Sequence, residues 1–151
     1  AMRSDPLVMH YVNRPLAQSM EDAHALIDRI SASVAAGDAV QWAITERGDD
    51  TFVGLIGFWR LVKEHYYGEL GYTLARDHWG KGYISEAIGA VLDFGFNTAG
   101  LHRVEAITRP QNTASVRVLE KNGFVQEGHI KEGIFWNGAF HDSLHFGRLA
   151  R

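Results

Sequence analysis

None of the 151 residues is cysteine, so disulfide scaffolds, thiolate zinc sites and cysteine nucleophiles are excluded. No apolar run approaches the ~20 residues a membrane-spanning helix requires, and no signal peptide opens the chain. The expected location is therefore the cytoplasm, with no membrane partner. An excess of positive charge is missing too: 15 Lys and Arg against 18 Asp and Glu leave −3, which argues against nucleic-acid binding. With 46% hydrophobic and 22% charged residues, the chain is no disordered or low-complexity segment. The charge is uneven. Residues 1–53 hold eight acidic and four basic side chains, a balance of −4, while residues 54–151 hold ten and eleven. An acidic first third suits a cationic acceptor, and equally a solvated face. Ala1 and Met2 read as a tag remnant and a start residue, which leaves one domain over residues 3–151.

The pattern of apolar residues predicts a mixed α/β domain. Ser19 and Asp22 form a capping-box variant ahead of Ala23, Leu26, Ile27, Ile30 and Val34 at helical spacing, and Gly37 supplies a left-handed stop. Residues 40–44 alternate as a strand, and 52–62 form a longer strand whose Gly54 and Gly57 mark a bulge or a close packing neighbour. Residues 69–74 form another strand. After a loop with two glycines, a helix is predicted from Tyr83 to about Asn97, then a strand over 102–108 and a second helix over 113–121 capped by Asn112. Strand–helix–strand order implies a parallel pair with a right-handed crossover. The tail ends in two strands around Asn137-Gly138, a type I′ hairpin signal.

Gly80-Lys81-Gly82 leaves a strand and opens a helix, so its main-chain N–H groups and the helix dipole form a candidate anion cradle. The same glycines could make a plain turn. The segment is not a Walker loop, which needs four residues between its glycines and Lys-Ser/Thr after the second, nor a dinucleotide fingerprint, since Ser85 stands where a third glycine would be needed. His141 and His145 would lie about 13 Å apart on a strand at about 3.3 Å per residue, too far to share one ion, so no metal is expected.

Taken in order, Glu69-Leu-Gly-Tyr-Thr-Leu74, His78-Trp-Gly-Lys-Gly-Tyr83, Ser85-Glu86-Ala87, Asn112-Thr-Ala-Ser115 and Glu120-Lys-Asn-Gly-Phe124 resemble the GNAT superfamily of acyl-CoA N-acyltransferases. The resemblance covers about residues 5–149. It is strongest to the RimJ/RimL-like branch, whose members acetylate N-terminal amines of ribosomal proteins. It implies a mostly antiparallel sheet with one splayed parallel strand pair, flanked by helices, and acetyl-CoA as co-substrate.

The resemblance also assigns roles. Main-chain amides of residues 76–82 would wrap the coenzyme's diphosphate, with Arg76, Asp77, Trp79, Gly80, Lys81 and Gly82 at the site and Tyr83 opening the helix aimed at it. The family's usual Arg or Gln falls on Asp77, so any side-chain cation must be Arg76 or Lys81. The pantetheine arm would slot between the strands of residues 69–74 and 104–108, pairing with the first of them as far as Leu74, with Asn112 bonding its amide. Asn112 serves as well as a plain helix cap. The N–H near Tyr72 would polarise the thioester. Glu69 is the candidate base, or else a solvated carboxylate, with His65 and Glu64 as runners-up. Many family members protonate the leaving thiolate with a tyrosine that here is Leu119. The RimJ/RimL-like branch has a serine that matches Ser115, which could instead merely cap its helix. Trp136 and the Tyr72 side chain are candidate pocket members.

The expected reaction is direct acetyl transfer to a primary amine, favouring a protein or peptide N-terminus. A small-molecule amine (polyamine, amino sugar or amino acid) and a non-catalytic acyl-CoA-binding module are the alternatives. Relatives begin with a strand and helix ahead of the segment matching residues 4–9; without them the sheet is shorter, the chain is truncated, or a partner covers an edge, and the last option raises the prospect of a homodimer.

Overall fold

The structure, a computed structural model, describes Met2, Asp5, Pro6 and residues 19–151. The expectation of a missing first strand and helix concerns the chain ahead of residues 4–9, where only Met2 is among the described residues.

Helix α1, Met20–Ala35, starts where Ser19 accepts from the Asp22 N–H at 3.2 Å and is followed by Gly37 at φ +74°. It leads into an antiparallel meander of β1 (Val40–Thr45), β2 (Phe52–Val62) and β3 (Tyr67–Leu74). Helix α2, Tyr83–Asp93, crosses to β4, Arg103–Thr108, which lies parallel to β3. Helix α3, Thr113–Lys121, precedes the hairpin of β5 (Val125–Trp136) and β6 (Ala139–Leu149). The six strands form one sheet in the order β1-β2-β3-β4-β6-β5. Among the described residues only β3–β4 is parallel, as strand–helix–strand order requires.

Alternation decides what each sheet face holds. Ile56 and Phe58 of β2, Leu70 and Leu74 of β3, Val104 and Ala106 of β4, and Leu144 and Phe146 of β6 join one core with Ile88, Val91 and Leu92 of α2 and Leu119 of α3. Phe58, Ile88 and Val104 are fully enclosed. The residues between them, among them Glu69 and Glu105, belong to the other face.

Two local features depart from the simplest reading of the pattern. The helix predicted to about Asn97 is α-helical only to Asp93; residues Phe94–Thr98 form a π turn, in which Ala99 N–H donates to Phe94 C=O. Apolar spacing is nearly the same in both, so the pattern does not register the widening. Gly95 in that turn rests on Phe58: a Cβ there would stand 2.8 Å from the ring's Cζ. In β2 the two glycines and the bulge are separate features. The register slips between Phe58 and Arg60, whereas a Cβ on Gly57 would lie 2.1 Å from the Val40 carbonyl oxygen. Asn137 and Gly138 turn the final hairpin with φ of 54° and 78°, as a type I′ turn demands.

Candidate active site

Strands β3 and β4 run side by side for only three register pairs, Tyr67↔Arg103, Gly68↔Val104 and Glu69↔Glu105. Beyond them β3 stays with β2 as far as Leu74, and β4 stays with β6 as far as Thr108. The two strands therefore part, and the main-chain groups between them lose their ladder partners. Such an opening can take an extended ligand by strand-like pairing. His65 and Glu64 sit in the turn Lys63–His65 ahead of β3, at the paired end, away from the opening. On the far side, β6 continues beyond Thr108, which pairs with Leu144, back to Ala139, so the hairpin end carrying Trp136 extends past the end of β4.

The loop after β3 begins with the short turn Arg76–His78. Gly80 and Gly82 both adopt left-handed φ, 72° and 84°, and a Cβ on either would meet nothing within 4 Å. Gly82 is the N-cap of α2 and offers no side-chain cap. Among the described residues, the N–H groups of Gly80 through Ser85 find no backbone acceptor. An uncapped helix start behind a glycine loop with open space before it fits a diphosphate. Side chains brace the loop from below. The Trp79 indole donates to the Leu74 carbonyl at 2.9 Å. Glu46, at the end of β1, accepts from the Tyr83 hydroxyl at 2.9 Å and lies 3.1 Å from His78 Nε2; the bond to Glu46 raises the Tyr83 pKa. The Arg76 guanidinium is engaged by Asp5 at 2.8 Å. Lys81 makes no ion pair among the described residues and is exposed, as is Asp77.

Two polar groups flank the opening from opposite faces of β3. Glu69 is buried, 5% exposed, with its carboxylate 3.2 Å from the Arg60 guanidinium. Burial holds its pKa above the ordinary carboxylate range; Arg60 pulls it back down, and neighbouring Glu105 pushes it up. Register sets Glu105 and His145 on that same face, and His145 Nε2 lies 3.1 Å from the Ser143 hydroxyl. Three residues after Glu69, Tyr72 projects to the helix face, where its hydroxyl meets Ser115 Oγ at 2.5 Å. Burial pushes the Tyr72 phenol up to about 12, with the bond to Ser115 pulling the other way. Ser115 is itself buried, and its N–H donates to the Asn112 side chain at 3.2 Å. Leu119, one turn later, is packed in the core at 1% exposure.

The fold thus gathers Glu69, Tyr72, Leu74, Asn112 and Ser115 around one opening, with the loop from Arg76 to Tyr83 at its end. Sequence reasoning missed Arg60, Glu46, Glu105 and the placement of His145. Arg60, Glu105 and His145 join the site by strand register and Glu46 by its side-chain contacts with Tyr83 and His78, and the only local hint was the bulge signal in β2.

A family model described as an acetyltransferase (GNAT) domain matches residues 1–125. The uncharacterized N-acetyltransferase p20 of Bacillus licheniformis is 34% identical over 148 residues, 98% of this chain and 83% of the relative. The crystal structure of a GNAT-family acetyltransferase from Bacillus anthracis superposes with a TM-score of 0.87 at 31% identity, covering 99% of this chain and 85% of that one. Spermidine N-acetyltransferase of Vibrio cholerae, in complex with CoA and spermine, shares the fold at a TM-score of 0.85 and 23% identity, covering 99% and 86%. Ribosomal-protein-serine acetyltransferase of Escherichia coli is 33% identical over 101 residues, 67% of this chain and 56% of the relative.

Proposed function

The chain belongs to the GNAT family of acetyltransferases, with N-acetyltransferase activity of that type and acetyl-CoA as co-substrate, and on that premise we propose that its acceptor is the N-terminal α-amine of a protein or peptide. The observation that carries the reading is the pair of polar groups flanking the β3–β4 opening: buried Glu69 on one face, the Tyr72–Ser115 hydroxyl pair on the other. Transfer needs a neutral amine on one side of the thioester and a hydrogen-bond donor for sulfur on the other. The amine nitrogen attacks the thioester carbon; the N–C bond forms as the C–S bond breaks. One amine proton passes to Glu69, directly or through water; the sulfur leaves as a thiolate hydrogen-bonded to Ser115 and takes its proton from solvent, while Glu69 returns the amine proton to solvent. The net result is one proton moved from nitrogen to sulfur. The main-chain N–H near Tyr72 is the donor for the thioester oxygen, where such a donor is worth about 2.7–4 kcal/mol in other enzymes.

Glu69 is a weak base even with its raised pKa, and this favours an acceptor that needs little deprotonation. An α-amine has a reference pKa of about 7.7–8.0 against about 10.4 for lysine. Roughly a tenth of α-amines are neutral near pH 7, against fewer than about one lysine in a thousand. The second reading is a polyamine acceptor, supported by Glu105 beside Glu69 and by the Vibrio cholerae relative's activity. For the diphosphate, the reading assigns the amides of Gly80–Ser85 with Lys81 alongside, and for the pantetheine arm the β3 edge and Asn112. The proposed quaternary state is a homodimer, and the exposed Val125 and Ile130 on edge strand β5 support it. Thiol release from acetyl-CoA against N-terminal peptides, polyamines and amino sugars tests the acceptor. Peptides should react fastest; release with spermidine alone would transfer the reading to polyamines.

A further inference from the structure

We propose that Tyr72 is a positioning residue for the transfer step, its phenol donating to Ser115 Oγ so that the one hydrogen Ser115 carries is turned into the β3–β4 opening. The inference rests on the reading of Ser115 as the donor to the departing sulfur. A serine hydroxyl has one hydrogen and two acceptor sites. Left to itself in a helix, it rotates among neighbouring acceptors, back-bonded carbonyls included. Here the Tyr72 and Ser115 oxygens are 2.5 Å apart, across the gap between β3 and α3. Ser115 is held at its main chain as well, by the Asn112 cap, and little solvent reaches it. If Tyr72 is the donor, the Ser115 hydrogen has to point elsewhere.

Direction matters because either oxygen could donate. A phenol is the stronger hydrogen-bond donor and an alkyl hydroxyl the better acceptor, which favours Tyr72 as the donor, and burial keeps the phenol protonated throughout the physiological range. It is also too weak an acid to give its proton up to a thiolate for long. Its effect is to orient Ser115 and, by polarising the hydroxyl, to strengthen the bond Ser115 offers. Neither hydroxyl ends the reaction deprotonated. This division of labour accounts for a site whose usual tyrosine is replaced by the core residue Leu119: a phenol is still present, but it reaches the reaction from β3, through a serine.

A double-mutant cycle on kcat tests the inference, using the full chain, acetyl-CoA and the best acceptor from the panel. Tyr72→Phe should lower kcat by about tenfold, the worth of one hydrogen bond of ordinary strength, with KM for acetyl-CoA little changed. In a Ser115→Ala background the same substitution should cost almost nothing, because its route of action is gone. Ser115→Thr, which keeps the hydroxyl, should restore the sensitivity to Tyr72→Phe. Equal losses in both backgrounds, or an unaltered kcat in Tyr72→Phe, would overturn the role of Tyr72 while leaving Ser115 intact. A silent Ser115→Ala would overturn both. CoA binding by calorimetry shows whether Tyr72→Phe is folded. If it is not, 3-fluorotyrosine placed at 72 carries the test: it keeps the ring and acidifies the phenol, so it should shift kcat with Ser115 present and not with Ala. A shift in both backgrounds, or in neither, counts against the inference.

Discussion

As the proposed base, Glu69 would set catalysis and stability against each other. Its charged form is disfavoured by burial, so the native state holds the proton to higher pH than the unfolded chain does. The sign follows: this group's contribution to stability is present below the unfolded pKa and is lost as pH rises through the native one. With Glu69 as the proposed base, activity should run the opposite way, rising as the carboxylate forms. Glu69→Gln should therefore raise the melting temperature at pH 7 relative to its value at pH 4, compared with the unsubstituted protein. It should also lower kcat, by on the order of 10²-fold for amines of high pKa and by less for an α-amine. Thermal scans at two pH values and kcat against both amine classes check this. The motifs singled out Glu69, Tyr72 and Ser115, which the fold places beside the β3–β4 opening. They did not single out Arg60, Glu46 or His145, because a residue's neighbours across a sheet depend on register, and Glu46 meets Tyr83 and His78 only in the fold. Arg60 meets Glu69 only because the ladder slips after Phe58.

The elements were readable wherever one pattern had one meaning. Ser19, Gly37, Asn112 and the Asn137-Gly138 turn all bound their elements as their side chains and φ preferences require. The π turn was not readable, since helical apolar spacing tolerates one extra residue. Its purpose shows in the packing: Gly95 lies against the fully buried Phe58 ring. Gly95→Ala should destabilise by about 1–3 kcal/mol, the range for overpacking a core, as a denaturant titration would show. Gly82 carries a different constraint. Space around it is open but its φ is +84°, so Gly82→Ala costs roughly 1–2 kcal/mol in the left-handed conformation. Relaxation of that strain would turn the loop amides away from a common point, and calorimetry should show weaker CoA binding. Unchanged CoA affinity would mean that the loop amides do not hold the diphosphate.

In the whole molecule, one sheet separates two environments. The helix face holds the apolar core together with the Tyr72–Ser115 pair; the other face holds Glu69, Glu105 and His145. Where β3 and β4 part, the proposed reading sets the thioester between Glu69 on one side and the Tyr72–Ser115 pair on the other. The splay was readable only through the family resemblance, because no local spacing says that a parallel pair will stop after three residues. Among the described residues no helix is long and apolar enough to cross a membrane, and no three His, Cys, Asp or Glu gather as a metal site. The most direct measurement uses a peptide with both a free N-terminus and an internal lysine, incubated with acetyl-CoA and the protein and then sequenced by tandem mass spectrometry. Acetyl on the α-nitrogen, with the lysine unmodified, is the predicted result. Acetyl on the lysine, or transfer to spermidine but to neither peptide amine, would contradict it.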